Sequence, residues 1–330
     1  MRILVAGLGS IGRRHLANLR SLIPRATIAV LRSGVSGFDS TVPTGADRVF
    51  YKVADALAFK PELAVIATPS THHTELGRTL VAVGAHLFIE KPIAADPTGV
   101  AELLDEADRF GRIVLVGYNL VFTDAMRCLR AEVASGRIGR VLFARAEVGQ
   151  YLPDWRPGTD YRRGASARAD LGGGVLLELS HELHYLMRIL GEVRSVKSCI
   201  RRTGTLEIDV EDLALLTLDF ASGAVACVQL NFLQRTYSRS CTLVGTEGTL
   251  IWNAALGTVS FHKPGDNAGI ELHSDRGIDR NAAYLRELAH LISCMAGDTN
   301  PIVSGREALK VLELVMAAKY SDRIGRDVTL

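Results

Sequence analysis

Apolar residues along the first third of the chain follow two alternating rhythms. Short aliphatic runs stand at Arg2–Ala6, Thr27–Leu31, Leu63–Ala67, His86–Ile89 and Ile113–Val116. Between them, at Ile11–Leu22, Thr71–Val83 and Thr98–Phe110, apolar residues return at helical spacing, with Asp96 and Pro97 punctuating the start of the third segment. Runs of the first kind are buried strands, and the second pattern is the stripe of an amphipathic helix. Strands separated by helices pair through crossovers, so the pattern predicts a parallel, doubly wound α/β sheet.

After about residue 120 the rhythm changes. A helix is predicted over Thr123–Ser135, a strand over Arg140–Val148, an irregular stretch over Gln150–Gly174, and a further helix from Val175. From Val193 to His262 the period becomes two, in strands such as Leu213–Phe220 and Ala224–Phe232 joined by Ala221-Ser222-Gly223, which is an antiparallel meander. Helices over Asn281–Met295 and Arg306–Tyr320 close the chain. With 330 residues and about 150 per domain, two domains are expected, 1–120 and 121–330. The closing helix is free to pack back on the first.

Composition narrows the functions available. Lys plus Arg at 38 against Asp plus Glu at 36 leaves +2, too small a field to hold a nucleic acid or a membrane surface. The five cysteines are scattered, odd in number and form no C-x-x-C pair, which argues against a disulfide framework or a cysteine-zinc site. No apolar run approaches the roughly 18 residues of a membrane span, so a reducing cytoplasm is the expected compartment.

Gly7-Leu8-Gly9-Ser10-Ile11-Gly12 spells G-x-G-x-x-G between the first strand and the first helix. In that context Gly7 serves the tight turn, Gly9 lets backbone approach a pyrophosphate, and Gly12 permits close helix-strand packing, with the helix N-terminus offering unpaired N–H donors. At the end of the second strand, where an acid would select a ribose hydroxyl, stand Arg32 and Ser33. A guanidinium beside a hydroxyl suits a 2′-phosphate, so NADP is expected in preference to NAD.

Three further landmarks, Thr68-Pro69-Ser70-Thr71-His72-His73, Glu90-Lys91-Pro92 and Gly172-Gly173-Gly174, together with Gly117-Tyr118-Asn119, make the chain resemble the glucose-fructose oxidoreductase and inositol dehydrogenase family (Gfo/Idh/MocA). The resemblance implies an N-terminal Rossmann domain and a C-terminal domain whose large, mostly antiparallel sheet makes subunit contacts, as a homodimer or homotetramer. It implies hydride exchange between NAD(P) and a sugar, polyol, nucleotide sugar or related carbonyl compound, without a metal. By resemblance Lys91 points at the reacting oxygen, where an ammonium stabilises a developing alkoxide. His73 lies along the cofactor, and Thr68, Pro69 and Glu90 complete that side.

The segment from Val175 matches the family's catalytic helix. At helical spacing Glu178, His181, Glu182 and Tyr185 share one face. The commoner family pattern has aspartate at the place of Glu178 and histidine at that of Glu182, and Ser180-His181-Glu182 resembles a different branch. Either His181 or Glu182 exchanges the proton; His181 is favoured because imidazole titrates nearest neutrality, with Glu178 or Glu182 orienting it. A metal cluster of Glu178, His181, Glu182 and His184 is disfavoured: His184 lies about 60° from His181 around the helix, and H-E-x-x-H is absent.

The stretch from Gln150 to Arg163 concentrates aromatic, Arg and Asp residues and is expected at the edge of a substrate cleft. Trp155, Arg156, Tyr161 and Arg162, with Tyr118, Asn119 and Tyr185, are candidate substrate contacts. Val121 stands where many relatives carry arginine. The expected function is thus an NADP-preferring oxidoreductase interconverting a secondary alcohol and a ketone. Its rivals are a redox-neutral glycosidase or lyase that retains NAD, and a non-catalytic NADP-responsive binding protein.

Overall fold

The computed structural model describes residues 1–33, 41–266, 268–275, 277 and 279–330. The chain divides into two units, Met1–Asn119 with Arg280–Leu312, and Leu120–Asp279 with Glu313–Leu330.

The first unit alternates strand and helix as its apolar rhythm requires. In order it contains β1 (Arg2–Ala6), α1 (Ser10–Leu22), β2 (Thr27–Leu31), β3 (Arg48–Phe50), α2 (Val53–Ala58) and β4 (Leu63–Ile66). There follow α3 (His73–Ala82), β5 (His86–Ile89), α4 (Val100–Arg109) and β6 (Val114–Val116). Every pairing is parallel, in the order β3-β2-β1-β4-β5-β6, the doubly wound Rossmann arrangement. Short β3, whose residues are only partly buried, left no apolar run by which the sequence would announce it.

The second unit begins with α5 (Asp124–Ala134) and β7 (Val141–Gly149), then crosses an irregular stretch to α6 (Val175–Glu178) and α7 (His181–Leu190). The meander follows as β8 (Val193–Arg201), β9 (Leu213–Phe220), β10 (Val225–Asn231), β11 (Ser238–Gly245), β12 (Thr249–Asn253), β13 (Thr258–His262) and β14 (Ile270–Ser274). Then come α8 (Ala282–Ala296), α9 (Gly305–Ile324) and β15 (Val328–Thr329). The nine-stranded sheet runs β14-β13-β12-β11-β7-β10-β9-β8-β15 and is antiparallel except between β7 and β10. Its period-two pattern buries Ala214, Leu216 and Leu218 of β9 and Ala226, Val228 and Leu230 of β10 on one face.

The first unit combines residues 1–119 with residues 280–312. Residues 280–312 return because α8 is apolar on one stripe: its Leu288 and Leu291 join Ile3, Val5, Leu16, Leu19 and Ile28 in the first unit's core. The side-chain amides of Asn18 and Asn281 donate to each other at 3.1 and 2.8 Å and fix the entry of α8 against α1.

Candidate active site

In the first unit the glycine fingerprint is built as its residue types require. Gly7 has φ +91°, and a Cβ there would stand 2.4 Å from the Ala67 carbonyl oxygen; one on Gly12 would stand 2.1 Å from that of Gly7. Over Gly9 the space is open: among the described residues, its own chain neighbours aside, no atom lies within 4 Å of a Cβ position. Helix α1 begins there without a side-chain cap and without an acid in its first turn, so its N-terminal N–H groups are available to an anion. Leu8 and Ile11 are half-buried and Ser10 is exposed. These features fit a dinucleotide pyrophosphate.

At the end of β2 the Arg32 N–H donates to the Phe50 carbonyl at 2.9 Å, and the half-buried guanidinium stands 5.9 Å from the Tyr51 ring centroid. Ser33 is exposed. Because β1, β4 and β5 are neighbours in the sheet, their carboxyl ends bring the fingerprint, Thr68-Pro69 and Glu90-Lys91 to one edge. Lys91 is partly exposed, and the Lys91–Pro92 peptide bond is cis.

Buried side chains tie this edge together, and three sequence expectations change as a result. The His73 ring is only 1% exposed; Nδ1 lies 3.0 Å from the Pro92 carbonyl and Nε2 2.9 Å from that of Thr68. It clamps the β4 loop to the Lys-Pro turn rather than presenting its ring to a cofactor. Burial holds its imidazole below the ordinary range, against hydrogen bonds to those two carbonyls. Glu90 also turns inward: its Oε1 accepts from His15 Nε2 at 2.5 Å and its Oε2 from the Lys91 N–H at 3.2 Å. Tyr118 is 1% exposed and part of the core, whereas Asn119 is half-buried.

In the second unit the single helix expected from Val175 is two. Leu179 has φ −106° and ψ +28°, and the Ser180 hydroxyl donates to the Leu177 carbonyl at 3.0 Å, so α6 stops and α7 restarts. The shared polar face predicted from unbroken helical spacing is therefore divided. Glu178 and His181, on either side of the break, are partly exposed, while Glu182, His184 and Tyr185 are buried.

Burial decides what Glu182 and Tyr185 do. Glu182 is fully buried and meets Arg239 of β11, with Oε1 2.9 Å from Nε and Oε2 accepting from the terminal nitrogen at 3.2 Å. Burial opposes the Arg239 charge, and Glu182 together with Tyr237 and Tyr185 more than offsets it. Tyr185 packs edge-on against Trp252, centroids 5.8 Å apart, with its hydroxyl beside the Cys241 thiol. Burial pushes that thiol up to about 12. Neither Glu182 as a proton carrier nor Tyr185 as a substrate contact fits this packing. Arg239 was missed in the sequence, although an arginine alternating inward with Cys241 and Leu243 signals a buried carboxylate partner.

The irregular stretch is organised by its own side chains. Trp155 donates from Nε1 to the Gln150 carbonyl at 3.3 Å and packs edge-on against Phe232. Arg162, exposed, donates to Asp160 at 2.8 and 3.1 Å and to Glu207 at 2.9 Å, and the Tyr161 hydroxyl accepts from the Glu207 N–H at 3.3 Å. Arg156 is exposed. Arg162 and Tyr161 are thus engaged in holding the loop's shape. No helix among the described residues is long and apolar enough to cross a membrane.

Comparison with known proteins identifies the family. Residues 1–118 match the family model described as "Oxidoreductase family, NAD-binding Rossmann fold", and residues 126–251 match the "GFO/IDH/MocA C-terminal domain". The chain is 27% identical to myo-inositol 2-dehydrogenase of Thermotoga maritima over 346 residues, covering 100% of this chain and 98% of that one. It is 27% identical to 1,5-anhydro-D-fructose reductase of Ensifer adhaerens, covering 82% and 81%. Among solved structures, the WlbA dehydrogenase of Chromobacterium violaceum in complex with NADH and UDP-GlcNAcA is 25% identical, with a TM-score of 0.84 over 100% of this chain and 96% of that one.

Proposed function

Since the chain belongs to the GFO/IDH/MocA oxidoreductase family, with its NAD-binding Rossmann domain, we propose that it interconverts a secondary alcohol and a ketone on a sugar, polyol or nucleotide-sugar derivative, with NADP preferred over NAD. The observation that carries the reading lies within the first unit. Adjacent strands β1, β4 and β5 set the open backbone at Gly9, the Thr68-Pro69 turn and Lys91 on one edge of a parallel sheet, where ligands of such sheets bind. When bound, the nicotinamide accepts or supplies the hydride.

The chain's own residues supply the rest. Gly9 and the first N–H groups of α1 hold the pyrophosphate. Arg32 supports the NADP preference, since a guanidinium pairs with a phosphate and the described residues that follow β2, Arg32 and Ser33, include no acid to repel it. The Lys91 ammonium donates to the substrate oxygen and stabilises negative charge as the C–H bond breaks. His181 takes or returns the hydroxyl proton, a role supported by its partial exposure where Glu182 is committed to Arg239. Glu178, also partly exposed, is the proposed orienting group. Asn119, Trp155 and Arg156 remain the proposed substrate contacts.

Association of two or four copies belongs to the same proposal. One face of the large sheet exposes Leu215 and Thr217 of β9 beside Val225, Cys227 and Gln229 of β10, uncharged residues whose cross-strand neighbours include the exposed Arg145 and Lys197. The test of the function is a screen of sugars, polyols and nucleotide sugars with each dinucleotide, followed by nicotinamide absorbance. Tight dinucleotide binding with no turnover across the panel would sink the proposal.

A further inference from the structure

A buried acid from far along the chain lies close to the residue that precedes Lys91. In α8 the stripe Ala283, Glu287, Leu288, Leu291 and Cys294 faces inward, and Glu287 is 0% exposed. Ligand atoms of Glu287, Glu90 and His15 lie within 4.8 Å of one another. Among the described residues neither Glu287 carboxyl oxygen has a hydrogen-bond partner, and His15 Nδ1 has none either. A carboxyl with both oxygens orphaned in the core is costly, and it should have a reason.

The neighbouring geometry supplies one. The Glu90 carboxyl sits between His15 Nε2 and the Lys91 N–H, and a Cβ on Gly117 would come within 3.2 Å of its Oε1, so the glycine leaves the carboxyl room. The His15 ring is braced edge-on by Phe88 at 4.8 Å and by Tyr284 at 6.1 Å, with Arg14 over Tyr284 at 4.5 Å. Three elements, α1, β5 and α8, therefore converge on the residue immediately before Lys91.

We propose that Glu287 is a positioning residue for the Glu90–Lys91 turn: a neutral carboxylic acid, buried beside the His15–Glu90 pair, whose hydroxyl secures the Glu90 carboxylate and through it the Lys91 backbone. Two carboxylates this close in a dry core do not both ionise, so one holds a proton. Glu90 has the donors His15 and Lys91 N–H to stabilise its charge, and Glu287 has none, so the proton stays on Glu287. Burial, reinforced by the Glu90 carboxylate, pushes the Glu287 carboxyl well above its usual range. The ligand atoms of Glu287 and Glu90 lie within 4.8 Å of each other, a separation that one bridging water would span.

A divalent ion is the competing occupant, and the distances oppose it. His15 Nε2 and Glu90 Oε1 are 2.5 Å apart, a hydrogen-bond separation, whereas two ligands of one tetrahedral zinc stand about 3.3 Å apart.

The positioning role rests on the reading of Lys91 given above, and the experiment separates the two. Glu287→Gln, Glu287→Leu and Lys91→Ala are compared with the wild type as full-length proteins. The first readout is the infrared band of a protonated carboxyl at neutral pH, expected in the wild type and lost in Glu287→Gln. The second is amide exchange of residues 88–93 against that of β1. Glu287→Gln, which keeps a donor, should stay within about twofold of wild type, whereas Glu287→Leu should exchange about tenfold faster over 88–93 with β1 unchanged. With a substrate found by the screen, Glu287→Leu should lower kcat about tenfold at unchanged KM and dinucleotide affinity, and Glu287→Gln should restore it. The proposal is overturned if the infrared band is absent, if Glu287→Leu matches wild type, if Glu287→Gln is as damaging as Glu287→Leu, or if the purified protein carries one equivalent of metal that Glu287→Gln removes. Full turnover in Lys91→Ala would overturn the reading of Lys91 instead, with the infrared and exchange results still deciding Glu287.

Discussion

Glu182 and Arg239 form a two-point ion pair inside the second unit, Oε1 to Nε at 2.9 Å and Oε2 to the terminal nitrogen at 3.2 Å, with the glutamate side chain fully buried and the arginine 14% exposed. The pair joins α7 to β11, directly beside the segment that carries His181. Removing one partner leaves a buried charge without compensation. Glu182→Ala should therefore lower stability in denaturant titration by about 3–5 kcal/mol, and replacing both residues with leucine should recover most of it. Unchanged stability in Glu182→Ala would refute this account of the pair.

For His181 the expectation concerns turnover. His181→Ala should reduce kcat by about 10² to 10⁴ while dinucleotide affinity, measured by fluorescence quenching, stays within about twofold. Near-normal turnover would return the proton to another group or to water.

The proposed cofactor preference rests on Arg32. NADP should bind at least about tenfold more tightly than NAD, and Arg32→Ala should erase the difference. Equal affinities in the wild-type protein, read by calorimetry, would contradict the assignment.

His73 predicts a pH effect with a definite sign. Its folded imidazole is held below the ordinary value of 6.5, so on acidification the unfolded chain takes up a proton before the folded chain does. The stability it contributes is complete above pH 6.5 and is lost as pH falls through the folded value. Between about pH 7 and 5 the wild type should lose stability more steeply than His73→Asn, which lacks the titrating group. Parallel slopes in urea titrations across that range would show that His73 does not titrate as its burial requires.

The open face of the large sheet predicts association. At micromolar concentration light scattering should give a dimer or tetramer, and charge placed on that face by Leu215→Arg should shift the mass toward the monomer. A wild-type monomer would remove the idea.

What the sequence by itself determined is local and periodic. The spacing of apolar residues located β1, β2, β4, β5 and β6 and the hairpin of β9 and β10, because burial on a sheet or a helix face repeats along the chain. The G-x-G-x-x-G turn was equally legible, since Gly7 and Gly12 occupy places where a side chain would strike backbone. Lys91 was found through its resemblance and its place after a strand. Tertiary structure alone decided the rest, because each outcome depends on a partner distant in sequence. Helical spacing put Glu178, His181, Glu182 and Tyr185 on one face, yet the break at Leu179-Ser180 and the arrival of Arg239 and Trp252 from the meander buried two of the four. His73 became a clamp because Pro92 folds back within hydrogen-bond reach, and Glu287 reached the Lys91 turn only because α8 returns to the first unit's core. Periodicity states which way a side chain faces, but the group waiting there is set by the packing of elements that the chain separates by tens or hundreds of residues.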